Sequence, residues 1–448
     1  MLREIRARFT GGVLATLVVL ACAASGADRA PVPEIPRPPP PERAALLPPP
    51  APASAPAPAF DAVAAPAPAS QPVPFQSFPQ LSRAARAFDE LANGVRREPV
   101  RVLWLGDSHT MADHLTGAVR AALFGRYPPG GPGYLRLGLS PTRHEHAKLV
   151  RIGMGYTEPN PPSRRLPQGD GIFGLGGIRV SVLDRSALKL TIAPGSLKGQ
   201  ARYSLLFDLP PSARFTAKLG PAKRAVSSSA DAVKLAGTPV LRLELEGEPT
   251  DPLEVEVVAG APRFYGAIVE GTEPGVVLDA IGIDGARVAT ALAWDGPSFE
   301  AEVALRKPDL VVIAFGTNEA FDSVRVEKYE PELERLLERF RRGAPNADCV
   351  ILGPPDSLAK DGSPVRRVPE ISVAYAQTAR RSGCAFVSQL ALMGGFGSFA
   401  TWQAQRPPLA FADGLHLTRR GYQRLGELLV GALFDGGAAS APVSIRSR

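Results

Sequence analysis

The sequence predicts an α/β protein: a three-layer α/β/α arrangement around a parallel, flavodoxin-like sheet, with an all-β sandwich inserted into it. Apolar runs rich in β-branched residues recur at VRVLWLG before Ser108, DLVVIAFG before Thr317 and DCVILGPP after Asn346. Such nearly continuous hydrophobicity marks strands covered on both faces. Between them lie segments with apolar residues at helical spacing: His109 to Phe124, Lys328 to Arg342 (KYEPELERLLERFRR), the stretch before Arg381, and Thr418 to Phe434. The last opens with a Thr cap ahead of RRGYQRLGELLVGAL. From 145 to 275 the pattern changes to alternating runs (IRVSVLD, LKLTIAPG, RYSLLFDL, VLRLELEG, LEVEVVAG) punctuated by Gly, Pro and Ser. That alternation predicts a sandwich.

The 448 residues, 45% of them hydrophobic, are enough for two or three domains with real cores. Lys and Arg number 51 against 44 Asp and Glu, a net of +7, yet no dense basic block is interleaved with aromatics. This excludes a nucleic-acid surface of the usual kind and leaves a mild attraction to anionic polymers. MLREIRARFT followed by GGVLATLVVLACAASG reads as an export signal over residues 1–26. VVLAC resembles a bacterial lipobox that would lipidate Cys22, while ACA would also suit an ordinary signal peptidase, and an uncleaved anchor is the third outcome. The expected location is exported: periplasmic or outer-envelope, with a membrane contact only through a lipid at Cys22.

Residues 27–78 are rich in Pro and Ala, a composition that favours extended polyproline II or a disordered linker and buries no core. The expected domains follow as 79–144 (first part of the α/β domain), 145–275 (sandwich), 276–436 (second part) and 437–448 (flexible tail). Cys349 and Cys384 each open a strand-like run. A disulfide between them and two buried free thiols are both open, the thiols being the more ordinary outcome.

In open α/β sheets the loops at the carboxyl ends of the strands converge, so polar residues just after each apolar run are the candidates for chemistry. They are Ser108 in GDSHT, Gly282 and Gly285 in GIDGAR, Asn318 in FGTNEA, and Asp413 with His416 in FADGLHLT. Taken singly, each is as readily a cap or turn residue. Together they supply a nucleophile (Ser108), a base (His416), a group to orient that base (Asp413), and oxyanion donors from the amides of Ser108 and a glycine and from Asn318. A serine-esterase site follows, with no metal or cofactor in its chemistry.

These blocks, in this order, resemble those of the SGNH hydrolases, also called the GDSL family: GDSH at Ser108, GIDGA, GTNE at Asn318 and DGLH from Asp413 to His416. The resemblance runs over roughly residues 95–436, interrupted by the insertion. It implies the α/β/α fold and the roles just given, with Gly285 as the glycine donor and Gly282 in reserve. The chain departs from the family's common GxND in carrying Glu319 where that Asp would stand. GDSH with its SHTMADHLTGAVRAAL extension, the inserted β domain, GTNEA, LMGGFGSFATW and DGLHLTRRGYQRLG look like the branch that contains bacterial peptidoglycan O-acetylesterases. In that branch the insertion resembles a carbohydrate-binding module, and the implied partner is an O-acetylated envelope glycan. A glycan O-acetyltransferase using the same residues, a lipase or thioesterase, and a non-catalytic glycan-binding lipoprotein are the alternatives.

Other marked residues point elsewhere. HEH at His144 to His146 lacks the spacing of a zinc site and is expected as exposed histidines. GIFGLGG lacks the strand-to-helix context of a nucleotide loop. Trp402 is equally a sugar-site or a packing residue, and Asp107 is expected to serve local structure.

Overall fold

The computed structural model describes residues 75, 77–138, 146, 148–154, 170–183 and 185–435. The export signal, Cys22, most of the Pro/Ala segment, His144 and the tail from 436 lie outside the described residues. The α/β part opens with helix α1 (Ser82–Ala92), strand β1 (Val100–Gly106) and helix α2 (Leu115–Phe124). The insertion follows, with these strands among its described residues: β2 (Gly133–Leu135), β3 (Val150–Met154), β4 (Val180–Ser181), β5 (Ala187–Ile192), β6 (Ala201–Asp208), β7 (Arg214–Leu219), β8 (Ala222–Val226), β9 (Val233–Lys234), β10 (Leu241–Gly247), β11 (Leu253–Ala259) and β12 (Arg263–Gly271). The chain then returns through β13 (Val276–Gly282), α3 (Val288–Leu292), α4 (Gly296–Arg306), β14 (Leu310–Ala314), α5 (Tyr329–Gly343), β15 (Asp348–Gly353), α6 (Arg367–Arg381), β16 (Ala385–Ser388), α7 (Gln389–Met393), α8 (Ser398–Ala404) and α9 (Arg419–Phe434).

β1 and β13 to β16 form a five-stranded parallel sheet in the order β13-β1-β14-β15-β16. Counted within the sheet this is 2-1-3-4-5, the flavodoxin-like order. Every residue of β1 is buried because both faces are covered. Val102 and Trp104 pack with α1, α2 and α9, whereas Leu103 and Leu105 face α3 to α6. The remaining strands make two antiparallel sheets, β2-β12-β6-β10-β9 with β4 on β12, and β3-β5-β11-β7-β8. Their inner faces share one apolar core in which Phe207, Phe215 and Phe264 meet edge to face.

Several boundaries differ from expectation. The antiparallel sheets begin at Gly133 rather than near 145, because Tyr134 and Leu135 pair with Ile268 and Ala267 of β12. The Pro/Ala segment ends before Phe75, whose buried ring packs on Phe88 and Phe434. The helix expected from His109 begins only at Leu115, since Ala112 and Asp113 hold φ of 64° and 55°. Asp113 is fixed there by a buried ion pair with Arg120 at 2.6 Å. Cys349 and Cys384 form a disulfide rather than two thiols: the parallel pairing of β15 with β16 brings their Cα atoms within 4.8 Å. Spanning 35 positions, it contributes about 3–4 kcal/mol on the chain-entropy model.

Buried charge ties the sandwich to the parallel sheet. Glu270 of β12 accepts from Arg101 of β1 and Arg306 of α4, and Arg306 also meets Asp279 of β13. Burial alone would raise the Glu270 carboxyl, but the two guanidinium groups hold it down at about 2. Among the described residues, Glu302 of α4 has no such cation. It accepts from the Leu175 amide and the Tyr134 hydroxyl, and burial pushes it up to about 7. A carboxyl raised in the fold contributes stability that is complete below its unfolded value of 4.5 and is lost as the pH rises through about 7. Glu302→Gln keeps an acceptor oxygen and removes the titration. Its denaturant stability, followed from pH 4.5 to 7, should fall less steeply than that of the wild type by about 1.4 kcal/mol per pH unit. An unchanged slope would contradict the assignment.

Candidate active site

The strand order reverses at β1, which lies between β13 and β14, and the loops after these three strands are therefore neighbours at the sheet's carboxyl edge. Ser108 stands two residues beyond β1. Its loop is held by the Asp107 amide donating to Ala314 O and by the Thr110 and Met111 amides donating back to Asp107 O and Ser108 O. Asp107 itself is buried and accepts the His109 amide at 3.0 Å, a local structural role. Burial pushes its carboxyl up to about 6.

His416 and Asp413 come from the loop before α9, whose first turn is capped by Thr418 through the Gly421 amide. Asp413 Oδ1 accepts the amides of Leu415 and His416 at 2.9 Å each, and Oδ2 lies 2.8 Å from His416 Nδ1. His416 Nε2 is 3.0 Å from Ser108 Oγ. Burial alone would raise the Asp413 carboxyl, but the two amides and the imidazole outweigh it and hold it below its ordinary range. An ionised Asp413 keeps the proton on Nδ1, leaving Nε2 to accept from the serine hydroxyl. Tyr422 of α9 meets His109 Nδ1 at 2.9 Å, which ties this loop to the one carrying Ser108. Burial, reinforced by the nearby His416 charge, pushes His109 down to about 3, so it puts no competing positive charge beside His416 at neutral pH.

Gly282 and Gly285 take different parts. Gly282 ends β13, where a Cβ would lie 2.4 Å from Met111 N, so it permits the close passage of the Ser108 loop. Gly285, at φ 66°, occupies a turn ahead of α3 closed by the Ala286 amide donating to Ile283 O. Among the described residues, the Gly285 and Ser108 amides have no hydrogen-bond acceptor. Asn318 Nδ2 donates to Ala286 O at 2.9 Å, which sets the side-chain amide next to Gly285 with a second N–H remaining. Removing that amide with Asn318→Ala should lower kcat on a small aryl acetate by about 10²–10³-fold with the melting temperature retained. A loss under about threefold would contradict an oxyanion role for Asn318.

Two residues take supporting roles that the sequence did not assign. Glu319 Oε1 accepts the Val288 amide at 3.0 Å and Oε2 the Gly316 amide at 3.1 Å, clamping the loop of Gly285 to the loop of Asn318. Its longer side chain spans a gap between two loops, and burial pushes it up to about 7. Arg287 donates to Asn318 O and to Asp322. Of the other marked residues, Trp402 is buried and donates to Met393 O, a packing role. His146 is buried rather than exposed. GIFGLGG packs Phe173 and Leu175 into the core. No group of three metal-ligating side chains occurs among the described residues.

A serine at the switch point of a parallel sheet, backed by an imidazole and a carboxylate, defines the class: a serine-type α/β/α acylhydrolase. Residues 251–424 match the GDSL-like lipase/acylhydrolase family, so this stretch of the chain is similar to an acylhydrolase domain. The match begins after Ser108, whose segment joins the same sheet through β1, paired between β13 and β14. A solved peptidoglycan O-acetylesterase is similar in fold, with a TM-score of 0.64 and 24% identity over 80% of this chain and 95% of that one. A lipase/acylhydrolase from Enterococcus faecalis aligns at 23% identity over 38% of this chain and 80% of its own, with a TM-score of 0.28. No curated protein matches the chain.

Proposed function

We propose that this chain removes O-acetyl groups from a cell-envelope glycan, peptidoglycan above all, through an acetyl-enzyme on Ser108. The observation that carries the reading is the relay from Ser108 Oγ through His416 to Asp413, at 3.0 and 2.8 Å, beside Gly285 and Asn318. His416 Nε2 takes the proton as Ser108 Oγ attacks the acetyl carbonyl. The amides of Ser108 and Gly285 and the side chain of Asn318 receive the oxyanion, and the protonated His416 gives its proton to the departing sugar oxygen. Water, deprotonated by the same ring, then releases acetate and free serine. No step needs a metal or cofactor.

Support for the substrate comes from the likeness in fold to a peptidoglycan O-acetylesterase, which extends over 80% of this chain. Support for export comes from the N-terminal pattern and from the Cys349–Cys384 disulfide, a bond that persists in oxidising compartments. A lipid on Cys22 would hold the enzyme at a membrane. Side-chain exposures of 35% at His416 and 47% at Asp413 leave water access to the relay, which favours hydrolysis over transfer of the acetyl group to a second glycan. The reading is tested by incubating the full chain with O-acetylated peptidoglycan, with and without an unacetylated glycan acceptor, beside Ser108→Ala. Serine-dependent free acetate supports it. Acetyl appearing on the acceptor in place of free acetate would make the protein a transferase.

A further inference from the structure

Beside the relay, on the flank of Asp413 and Leu415, lies a groove of about 790 Å³ between the loops that follow β14, β15 and β16. Its walls include Phe321 and Phe396, exposed at 48% and 50%. With Phe411, these are the exposed large aromatic side chains among the described residues, and all three belong to the loops around Ser108, Asn318 and Asp413. The described residues of the sandwich expose Val233 and Val258 instead, so among the described residues the exposed rings suited to stack on a sugar lie in the α/β part.

The groove is also charged on one side. Lys360, Arg366 and Arg367 line it against Asp322 and Asp413. Both carboxylates are engaged, Asp322 by Arg287, Arg367 and Tyr329, and Asp413 by His416 and two amides. Lys360 and Arg366 are exposed and pair with no acid among the described residues. The position relative to the chemistry decides what this surface meets. His416 must reach the departing sugar oxygen, so the alcohol half of the ester extends along the wall that carries residues 413–416, into this groove.

Resting on the glycan reading above, we propose that the groove is a subsite for a sugar bearing an anionic peptide stem, with Phe321 and Phe396 against the sugar and Lys360 and Arg366 receiving the stem carboxylates. These two cations then distinguish stem-bearing peptidoglycan from acetylated glycans without a stem. The test compares the full-length wild type, Lys360→Ala/Arg366→Ala, the charge-keeping Lys360→Arg/Arg366→Lys and Phe396→Ala. Each is assayed for kcat/KM on O-acetylated peptidoglycan fragments carrying their stems and on the same fragments with the stems cut off.

The wild type should prefer the stem-bearing fragments by about tenfold, the double alanine variant should lose that preference, the charge-keeping variant should retain most of it, and Phe396→Ala should depress both rates together. A wild type without preference, or a double variant that loses equally on both substrates, overturns the subsite while leaving the esterase reading in place. Failure of the wild type to release acetate from either glycan, with Ser108-dependent cleavage of an aryl acetate intact, overturns the glycan reading and the subsite with it.

Discussion

Replacing Ser108 with alanine is expected to lower kcat/KM on a small aryl acetate by about 10⁴–10⁶-fold. The side chain is half-buried and its hydrogen bond is the one to His416 Nε2 at 3.0 Å, so its loss removes the nucleophile and leaves the loop's backbone bonds in place. The melting temperature should therefore move by no more than about 2 °C. Steady-state kinetics with a thermal melt check both halves of the expectation. A Ser108→Ala protein that keeps more than about a tenth of the activity would place the chemistry on another residue.

Asp413→Asn should come next, with a loss in kcat of about 10³–10⁴-fold. The substitution keeps the oxygen that accepts the Leu415 and His416 amides, so the loop stays closed. It turns an NH₂ group toward Nδ1, where Oδ2 now lies at 2.8 Å. Two donors cannot face each other, so the ring shifts its proton to Nε2 and no longer accepts from Ser108. Because Asp413 is held below the ordinary carboxylate range, the wild type should retain this orientation into mildly acidic solution. Solvent at a half-exposed carboxylate softens the effect relative to a buried one, which is why the lower bound is 10³. A variant within about tenfold of the wild type would mean that the two backbone amides alone position the loop and that the charge contributes little.

The parallel sheet and the four polar blocks were legible in the sequence for one physical reason. A strand buried on both faces leaves a continuous apolar run, and the residue after it lands at the edge where ligands bind. Ser108 and Asn318 follow that logic, whereas Asp413 and His416 come from the loop between α8 and α9, which the structure sets against Ser108. What failed was local. SHTMAD reads as a helix start, yet Ala112 and Asp113 are held at positive φ by the Asp113–Arg120 ion pair and the passage against Gly282, which no local pattern encodes. Strand β2 is only three residues, GYL, and owes its extension to pairing with β12 across a long insertion. The disulfide was half legible: each cysteine opens a strand-like run, but the choice between a bond and two thiols depended on the pairing and register of those strands. Glu319 was visible as a departure from the family pattern. Its clamp between Val288 and Gly316 emerges only once both loops are placed.

The most direct measurement of the central claim is rapid acid quench of the full chain during turnover of an acetyl ester, followed by mass spectrometry of its peptides. An acetyl group on Ser108, accumulating in wild type and absent from Ser108→Ala, is the predicted result. Continued turnover with no acetylated Ser108, or an acetyl group that accumulates and decays on a different residue, would contradict it.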